Sequence, residues 1–338
     1  MKPIKISIAL STYNGEDYIG DQLNSFAEQI YLPDELIVCD DCSQDSTVSI
    51  VQQFAYKAPF EVRVFVNERN IGYIKNFSKA LSYCSGDIVL LSDQDDVWFP
   101  NKLLLLKNFL QNNSKIQLVI HDIAFCSRDL IPIGQTKIER MRGIFDLQSN
   151  YVVGMASAIR NDFLKQCLPV PDIEGLTHDS WLHMCAQTLG VKAIVEDVLA
   201  LHRRHDNNVT ASKLLNVDYV TTPEHFRKSR PNLFQRLNQM KHDMILRTGR
   251  SATLLKWLEQ GQEAFLQGGY AESANLDRTI IEVRRRYEAE SLRSQILCGH
   301  GWDQLWAMFN LYRSGGYAYF QDWKSLVSDF IFRFVLRV

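Results

Sequence analysis

Ser92-Asp93-Gln94-Asp95-Asp96-Val97-Trp98 places three carboxylates within four residues, directly after the apolar run Ile88-Val89-Leu90-Leu91. The run has the length and branching of a buried strand. Like charges this close repel, so at neutral pH they require a cation, strong hydrogen-bond donors or a raised pKa. A divalent metal meets the need simply. Magnesium and similar ions take one or two protein carboxylates when substrate phosphates and water fill the rest of the shell. The alternative is an N-cap, since Pro100 and Asn101-Lys102-Leu103-Leu104-Leu105 open a helical stretch. A cap accounts for one carboxylate, not three.

Elements positioned to present this cluster run through the first two hundred residues. Ile4, Ile6, Ile8 and Leu10 alternate as a strand and lead into the turn Ser11–Gly15. Asp17 to Ile30 reads as a helix with Leu23, Phe26, Ala27 and Ile30 on one face. Leu36–Cys39 is a second strand, ending at Asp40-Asp41-Cys42-Ser43. A helix from Thr47, a strand through Val62, Val64 and Val66, and a helix opened by Asn70-Ile71-Gly72 follow. Strands alternating with helices of this length predict an α/β, doubly wound, mostly parallel sheet. Ligands of such sheets sit beyond the carboxyl ends of the strands. Ser11–Asn14, Asp40-Asp41 and Asp93–Asp96 therefore share one crevice. There is no G-x-G-x-x-G after the first strand and no G-x-x-x-x-G-K-[ST], which counts against a dinucleotide oxidoreductase and a P-loop hydrolase.

Further along, Gln117–Asp122 is a strand, and Ser127–Gly143 reads as a mobile loop over the site. Gly154–Ala158 is again strand-like. Asp179 opens a helix from Trp181 to Leu189, where the helix dipole keeps a carboxylate ionised. Leu199–Leu201 is a short strand followed by His202-Arg203-Arg204-His205-Asp206-Asn207-Asn208.

Ser11-Thr12-Tyr13-Asn14-Gly15, Asp40-Asp41-x-Ser43-x-Asp45-Ser46-Thr47, Asn70-Ile71-Gly72 and Ser92–Trp98, in this order, resemble family 2 inverting glycosyltransferases of the GT-A fold. The bacterial rhamnosyltransferase-like group that builds surface polysaccharides is the closest in flavour. The resemblance covers about residues 4–210; Cys42 departs from it, since glycine is usual there. It implies that Tyr13 flanks the nucleotide base, unless it is an ordinary loop aromatic. Asp41 would accept a hydrogen bond from a pyrimidine imide, with Asp40 supporting the turn. Ser11 and Asn14 lie in the same nucleotide subsite. Asp93-Gln94-Asp95 would be the D-x-D element, with Asp95 ligating Mg2+ or Mn2+ and Asp93 nearer the donor ribose or sugar. Asp179 would be the catalytic base, a cap, or both. Arg203 or Arg204 would offset charge on the leaving diphosphate, and His205 would be a metal ligand or phosphate contact.

The implied reaction is metal-dependent inverting transfer from a nucleotide-sugar donor (dTDP-rhamnose or a UDP-hexose) to a lipid-linked saccharide acceptor in O-antigen or capsule synthesis. The rivals are a retaining glycosyltransferase, a nucleotidyltransferase and a catalytically inactive sugar-nucleotide-binding scaffold. Nothing points to nucleic acid.

Two charge regimes accompany this reading. Residues 1–209 hold 19 Lys/Arg and 26 Asp/Glu; residues 210–338 hold 18 and 13, an acidic front and a basic rear. The boundary is drawn at 210/211, with a GT-A domain over 1–210 and a helical appendage over 211–338. Thr221-Thr222-Pro223 and Ser229–Asn232 are linker turns, followed by helices around Asn232–Arg247, Ser251–Gln267, Ala271–Leu297 and Asp303–Arg313. Phe320, Trp323, Val327, Phe330 and Phe334 form one face of a last helix, with Lys324, Arg333 and Arg337 nearby. That face packs on the preceding helices, on a second subunit in a homodimer, or on a membrane interface; a lipid-linked acceptor favours the membrane. No secretory leader is read at Met1-Lys2-Pro3, and no apolar run reaches the ~18–20 residues that span a bilayer. Seven scattered cysteines fit a reducing compartment. The expected location is cytoplasmic, peripheral on the inner face of the plasma membrane.

Overall fold

The computed structural model describes residues 3–205, 233–299, 302–320, 325–327 and 329–330. The first part of the chain alternates strands and helices: β1 (Ile6–Thr12), α1 (Ile19–Ala27), β2 (Glu35–Asp40), α2 (Thr47–Lys57), β3 (Glu61–Val66), α3 (Tyr73–Tyr83) and β4 (Ile88–Ser92). The order continues with β5 (Val97–Trp98), α4 (Lys102–Asn112), β6 (Leu118–Cys126), α5 (Lys137–Met141) and α6 (Leu147–Asn150). It ends with β7 (Ser157–Arg160), α7 (Asn161–Cys167), α8 (His178–Thr188) and β8 (Lys192–Arg203).

These strands form one eight-stranded sheet in the order β3-β2-β1-β4-β7-β6-β8-β5. The half from β3 to β4 is parallel throughout, so the ends of β1, β2 and β4 lie along one edge. β7 runs antiparallel to both β4 and β6, β6 is parallel to β8, and β5 is antiparallel to β8. β1 is buried on both faces, because Ser7 and Ala9 are as inaccessible as Ile8 and Leu10. Its inward residues pack with Leu36, Val38 and Leu90, with Leu23 and Phe26 of α1, and with Leu103 and Leu106 of α4. The polar Ser7 is tolerated because its hydroxyl donates to Glu35 at 2.5 Å. Burial raises the Glu35 carboxyl, but the bonds from Ser7, Ser85 and Arg63 outweigh it and the net shift is downward.

Three expectations change. The segment 127–143 is not a loop throughout: β6 extends to Cys126 by pairing Ala124, Phe125 and Cys126 with Leu201, His202 and Arg203 of β8. α5 follows, opened by a capping box between Thr136 and Glu139, with Ile138 and Met141 buried in the sheet's core. Five residues are too few for a periodic signal. Second, α8 begins at His178 and is capped by Thr177; Asp179 lies inside its first turn. Third, the two helices expected on either side of residue 249 are one, Leu233–Gln267. An interior glycine costs only about 1 kcal/mol, which a long helix absorbs.

The chain divides into two compact units. One contains residues 3–171, 177–205 and 268–270; the other contains 172–176 and the remaining C-terminal helices. The expected boundary at 210/211, the linker turns at 221–223 and 229–232, and Trp323, Lys324, Arg333, Phe334 and Arg337 lie outside the described residues. In the second unit, Ser273–Cys298 and Trp302–Arg313 follow the long helix, joined by a core of Ala289, Ile296, Ala307, Met308, Leu311 and Tyr317. Fully buried Glu290 is held there by Arg247 at 3.5 Å and Arg286 at 3.2 Å.

Cys42 adopts φ 67°, the left-handed region that glycine enters without steric cost. Cys42→Gly is expected to raise stability by about 1 kcal/mol, through relief of that conformation; an unchanged or lower melting temperature would contradict it.

Candidate active site

The ends of β1, β2 and β4 are tied together by side chains. Asp40 Oδ1 accepts from the hydroxyls of Thr12 (2.8 Å) and Ser43 (2.6 Å), and Oδ2 accepts from the Ser43 N–H (2.8 Å). Its capacity is thus mostly spent on the turn. Asp41 Oδ1 accepts from Asn67 Nδ2 at 2.9 Å and the Ile71 N–H at 2.8 Å, while Oδ2 accepts from the Gly72 N–H at 2.9 Å. A carboxylate offers about four acceptor sites, so one on Oδ2 stays available. The Asn70-Ile71-Gly72 turn is therefore what grips Asp41, with Gly72 at φ 87° as the N-cap of α3.

Asn14 Oδ1 accepts from the Gln44 N–H at 2.8 Å, and its own N–H donates to Ser43 Oγ at 2.9 Å. Ser11 Oγ accepts from Asn76 Nδ2 at 2.7 Å. Asn76 belongs to a buried amide chain, Lys79–Asn67–Asn76, beneath Asp41. Tyr13 is 45% exposed, its ring on the surface of this edge. Gln94 clamps the Tyr13 backbone from the acidic loop: Oε1 accepts from the Tyr13 N–H at 2.9 Å and Nε2 donates to the Tyr13 carbonyl at 3.0 Å. A β-carbon at Gly15 would lie 2.3 Å from Gln94 Oε1, so the clamp requires glycine there. Gln94 thus joins two loops through backbone contacts.

The three acidic side chains differ. Asp96 is fully buried; its Oδ1 meets His202 Nδ1 at 3.0 Å and the Arg203 N–H at 3.2 Å, but Oδ2 has no partner among the described residues. Asp95 Oδ2 meets His205 Nε2 at 2.8 Å, and the His205 ring stacks on Tyr18 at 4.5 Å. The Asp93 carboxyl makes no hydrogen bond with the described residues, and it is pushed well up by burial and then by Asp96, Asp95 and Asp179. Lys102 counters this. It is fully buried, donates to the Met155 carbonyl at 2.7 Å and lies 3.4 Å from the Trp98 ring centroid. Burial holds it well below the usual lysine range despite Asp96 and Asp93.

Among the described residues, no group of three or more His, Cys, Asp or Glu could hold a metal ion unaided. Asp95 and His205 nevertheless converge on one point, beside the orphaned Asp96 oxygen and the raised Asp93. That donor set fits a cation whose remaining positions are filled by diphosphate oxygens and water. Arg203 does not face outward. Its guanidinium donates to the carbonyls of Asp95 (2.9 Å) and Arg128 (2.5 Å) and to Asp21 Oδ2 (2.7 Å). Arg204 is half-buried against Phe125, 5.4 Å from the ring centroid, and its Nη2 has no hydrogen-bond partner among the described residues.

Asp179 reaches this region from the first turn of α8. Oδ1 accepts from the Thr177 hydroxyl and from the Ser180 N–H at 2.8 Å, and no hydrogen bond from the described residues engages Oδ2. Burial pushes its carboxyl up, but His178, Thr177, His183 and Ser180 together take it below the ordinary value. It is therefore ionised at neutral pH. His178 stacks on Phe77 at 4.0 Å. A β-carbon at Gly154 would lie 3.3 Å from His178 Nε2 and 3.4 Å from the Asp179 β-carbon, so a small residue underlies both. Asp206, Asn207 and Asn208 lie outside the described residues. Sequence reasoning missed Lys102, Lys137 and the Asn67–Asn76 pair. Asn76 had a visible signal: an amide on the inward face of α3, beside Phe77 and Ala80.

Comparison with known proteins bears on family and fold. An uncharacterised protein of Mycobacterium tuberculosis is 26% identical over 215 residues, and the chain spans 60% of its length. The Escherichia coli protein WfgD, a UDP-Glc:alpha-D-GlcNAc-diphosphoundecaprenol beta-1,3-glucosyltransferase, is 35% identical over 109 residues, 32% of this chain and 42% of WfgD. Staphylococcus aureus TarS 1–349 in complex with UDP-GlcNAc aligns with a TM-score of 0.51 and 17% identity over 92% of each chain, a likeness of fold, the GT-A fold. Residues 7–167 match the Glycosyl transferase family 2 model, a span that ends before Asp179 and Arg204. The likeness to family 2 glycosyltransferases therefore rests on the sheet-forming region that carries the acidic cluster.

Proposed function

We propose that the chain is an inverting glycosyltransferase that moves a sugar from a nucleotide diphosphate to an acceptor hydroxyl in bacterial polysaccharide synthesis. The observation that carries this reading is the meeting of Asp179 with the acidic cluster: Lys102, buried beside that cluster, donates to the Met155 carbonyl, and the adjacent Gly154 lies against Asp179. Tyr13 flanks the nucleotide base, and the open site on Asp41 accepts the imide N–H, with Ser11, Asn14 and Asp40 holding the subsite. Asp93 faces the donor ribose or sugar. Asp95 and His205 would hold Mg2+ or Mn2+, which when bound neutralises charge on the departing diphosphate. Asp179 Oδ2 takes the acceptor's hydroxyl proton as that oxygen bonds to the anomeric carbon and the bond to the diphosphate oxygen breaks. No covalent enzyme intermediate is needed.

WfgD is named for a UDP-glucose donor, and TarS was crystallised with UDP and UDP-GlcNAc. A UDP-hexose is therefore a better supported donor than dTDP-rhamnose. The diphosphoundecaprenol in WfgD's name supports a lipid-linked saccharide acceptor. Among the described residues no helix is long and apolar enough to cross a membrane. The helix Trp302–Arg313, however, exposes Trp302 (85%), Trp306 (62%), Phe309 (61%) and Tyr312 (68%), opposite buried Ala307, Met308 and Leu311. Tryptophan and tyrosine suit a membrane–water interface, and this face is read as the peripheral contact that brings the enzyme to its acceptor.

Three outcomes are expected. Asp179→Asn should retain UDP binding and lose transfer by about 10²–10⁴-fold, the usual worth of a general base; near-native transfer would remove Asp179 from that role. Asp95→Ala should abolish the manganese-dependent part of UDP binding in calorimetry, and equal affinity with and without manganese would argue against the metal. Replacing Trp302, Trp306 and Phe309 by serine should release the protein from anionic vesicles in flotation. Loss of a homodimer instead would assign the face to a second copy.

A further inference from the structure

One cluster of cations, of which the donor reading considered only Arg204, gathers around Phe125 and Tyr151. Lys137 of α5 donates to the Val152 carbonyl at a long 3.3 Å, and its ammonium lies 5.6 Å from the Tyr151 ring centroid. Arg140, one turn on, lies 4.1 Å from the Phe125 ring centroid, the same ring that Arg204 approaches. Arg140 is braced by the carbonyls of Gln135 (3.1 Å) and Ile133 (3.2 Å). Arg204 keeps a buried guanidinium nitrogen with no hydrogen-bond partner among the described residues. The nearby carboxylates answer this need only in part, with Asp179 Oδ2 left to meet the acceptor hydroxyl. Asp122 Oδ1 already accepts from the N–H groups of Ile123 (2.8 Å) and Ile138 (2.9 Å), and Asp179 Oδ1 is engaged by its own helix turn.

The cluster sits on the acceptor side. Val152, which receives the Lys137 bond, is two residues from Gly154, and Gly154 underlies Asp179. We propose that Lys137 and Arg204, flanked by Arg140, seat a phosphate or diphosphate group of the acceptor beside Asp179. The inference rests on the glycosyltransferase reading and deepens it. A guanidinium fork and an ammonium together match a phosphate dianion in charge and in donor geometry. A single carboxylate would match only one of the cations. Burial pushes Lys137 down to about 8, with Arg204 acting in the same direction and Asp179 and Asp122 opposing, as befits an ammonium awaiting a counter-ion. Anchoring a charged group there would hold the acceptor's hydroxyl against Asp179 Oδ2 and convert an encounter into an oriented approach.

The test uses the full chain saturated with UDP and manganese, titrated with inorganic phosphate and, separately, with glucuronate. Phosphate should bind saturably and more tightly than glucuronate. Lys137→Gln should weaken phosphate at least tenfold while leaving UDP affinity within twofold, and Lys137→Arg should retain both. Equal phosphate binding by Lys137→Gln, or none by the native chain, overturns the proposal; the former means an adventitious ion only. Loss of UDP affinity in Lys137→Gln, with no separate phosphate saturation, assigns the cations to the donor diphosphate instead. Tighter glucuronate than phosphate overturns the phosphate class. Absence of any UDP binding by the native chain is a failure of the glycosyltransferase reading, and it is seen before phosphate is added.

Discussion

Clustered negative charge at the edge of a buried sheet is the constraint to which the surrounding structure responds. Two carboxylates within a few ångströms of each other in a partly dry site cannot both ionise without help. The protein supplies partial help from several directions. His202 and the Arg203 backbone face Asp96, His205 faces Asp95, and the Lys102 ammonium is buried nearby. None of these fully satisfies the set, since an Asp96 oxygen is orphaned and Asp93 stays raised. A site tuned for stability alone would replace such groups with apolar ones of similar size. Retaining them, half-relieved, leaves a standing demand for positive charge at the place where a diphosphate would leave.

The support around the site follows from that demand. Lys102 is held by a carbonyl and an indole face, because an ammonium drawn into the interior must find hydrogen bonds there. Arg203 is enclosed by two carbonyls and Asp21, fixing the end of β8 where the two histidines emerge. On the other side, Asp179 sits in a helix turn whose N–H groups and Thr177 hydroxyl keep it charged. The carboxylates therefore divide into a set that resists ionisation and one that favours it. Environments that push neighbouring titratable groups apart are what separates their roles in catalysis.

Much of this was legible in the chain itself. Polar clusters following apolar runs marked the ends of β1, β2 and β4, and parallel pairing gathers those ends. The family match over residues 7–167 agrees with the motifs read there. Other features depend on contacts distant in sequence. Lys102 reads as a surface lysine at a helix start, and only packing shows it buried. Gln94 reads as part of a ligand-binding triplet, but its amide is spent on Tyr13, 81 residues away. Arg203 and Arg204 look interchangeable as a pair. Successive residues leaving a strand face opposite ways, so one is enclosed and the other meets Phe125. α5 was missed because five residues and two buried side chains leave no periodic trace.

The Gln94 clamp has a geometric corollary. By joining the Tyr13 backbone to the acidic loop with two hydrogen bonds, it makes those loops a caliper of fixed opening. Under the proposed arrangement the nucleoside would meet one jaw and its diphosphate the other, so neither loop could shift without carrying its partner along. The spacing between the two contacts would then be set by the protein's own frame and not by the ligand.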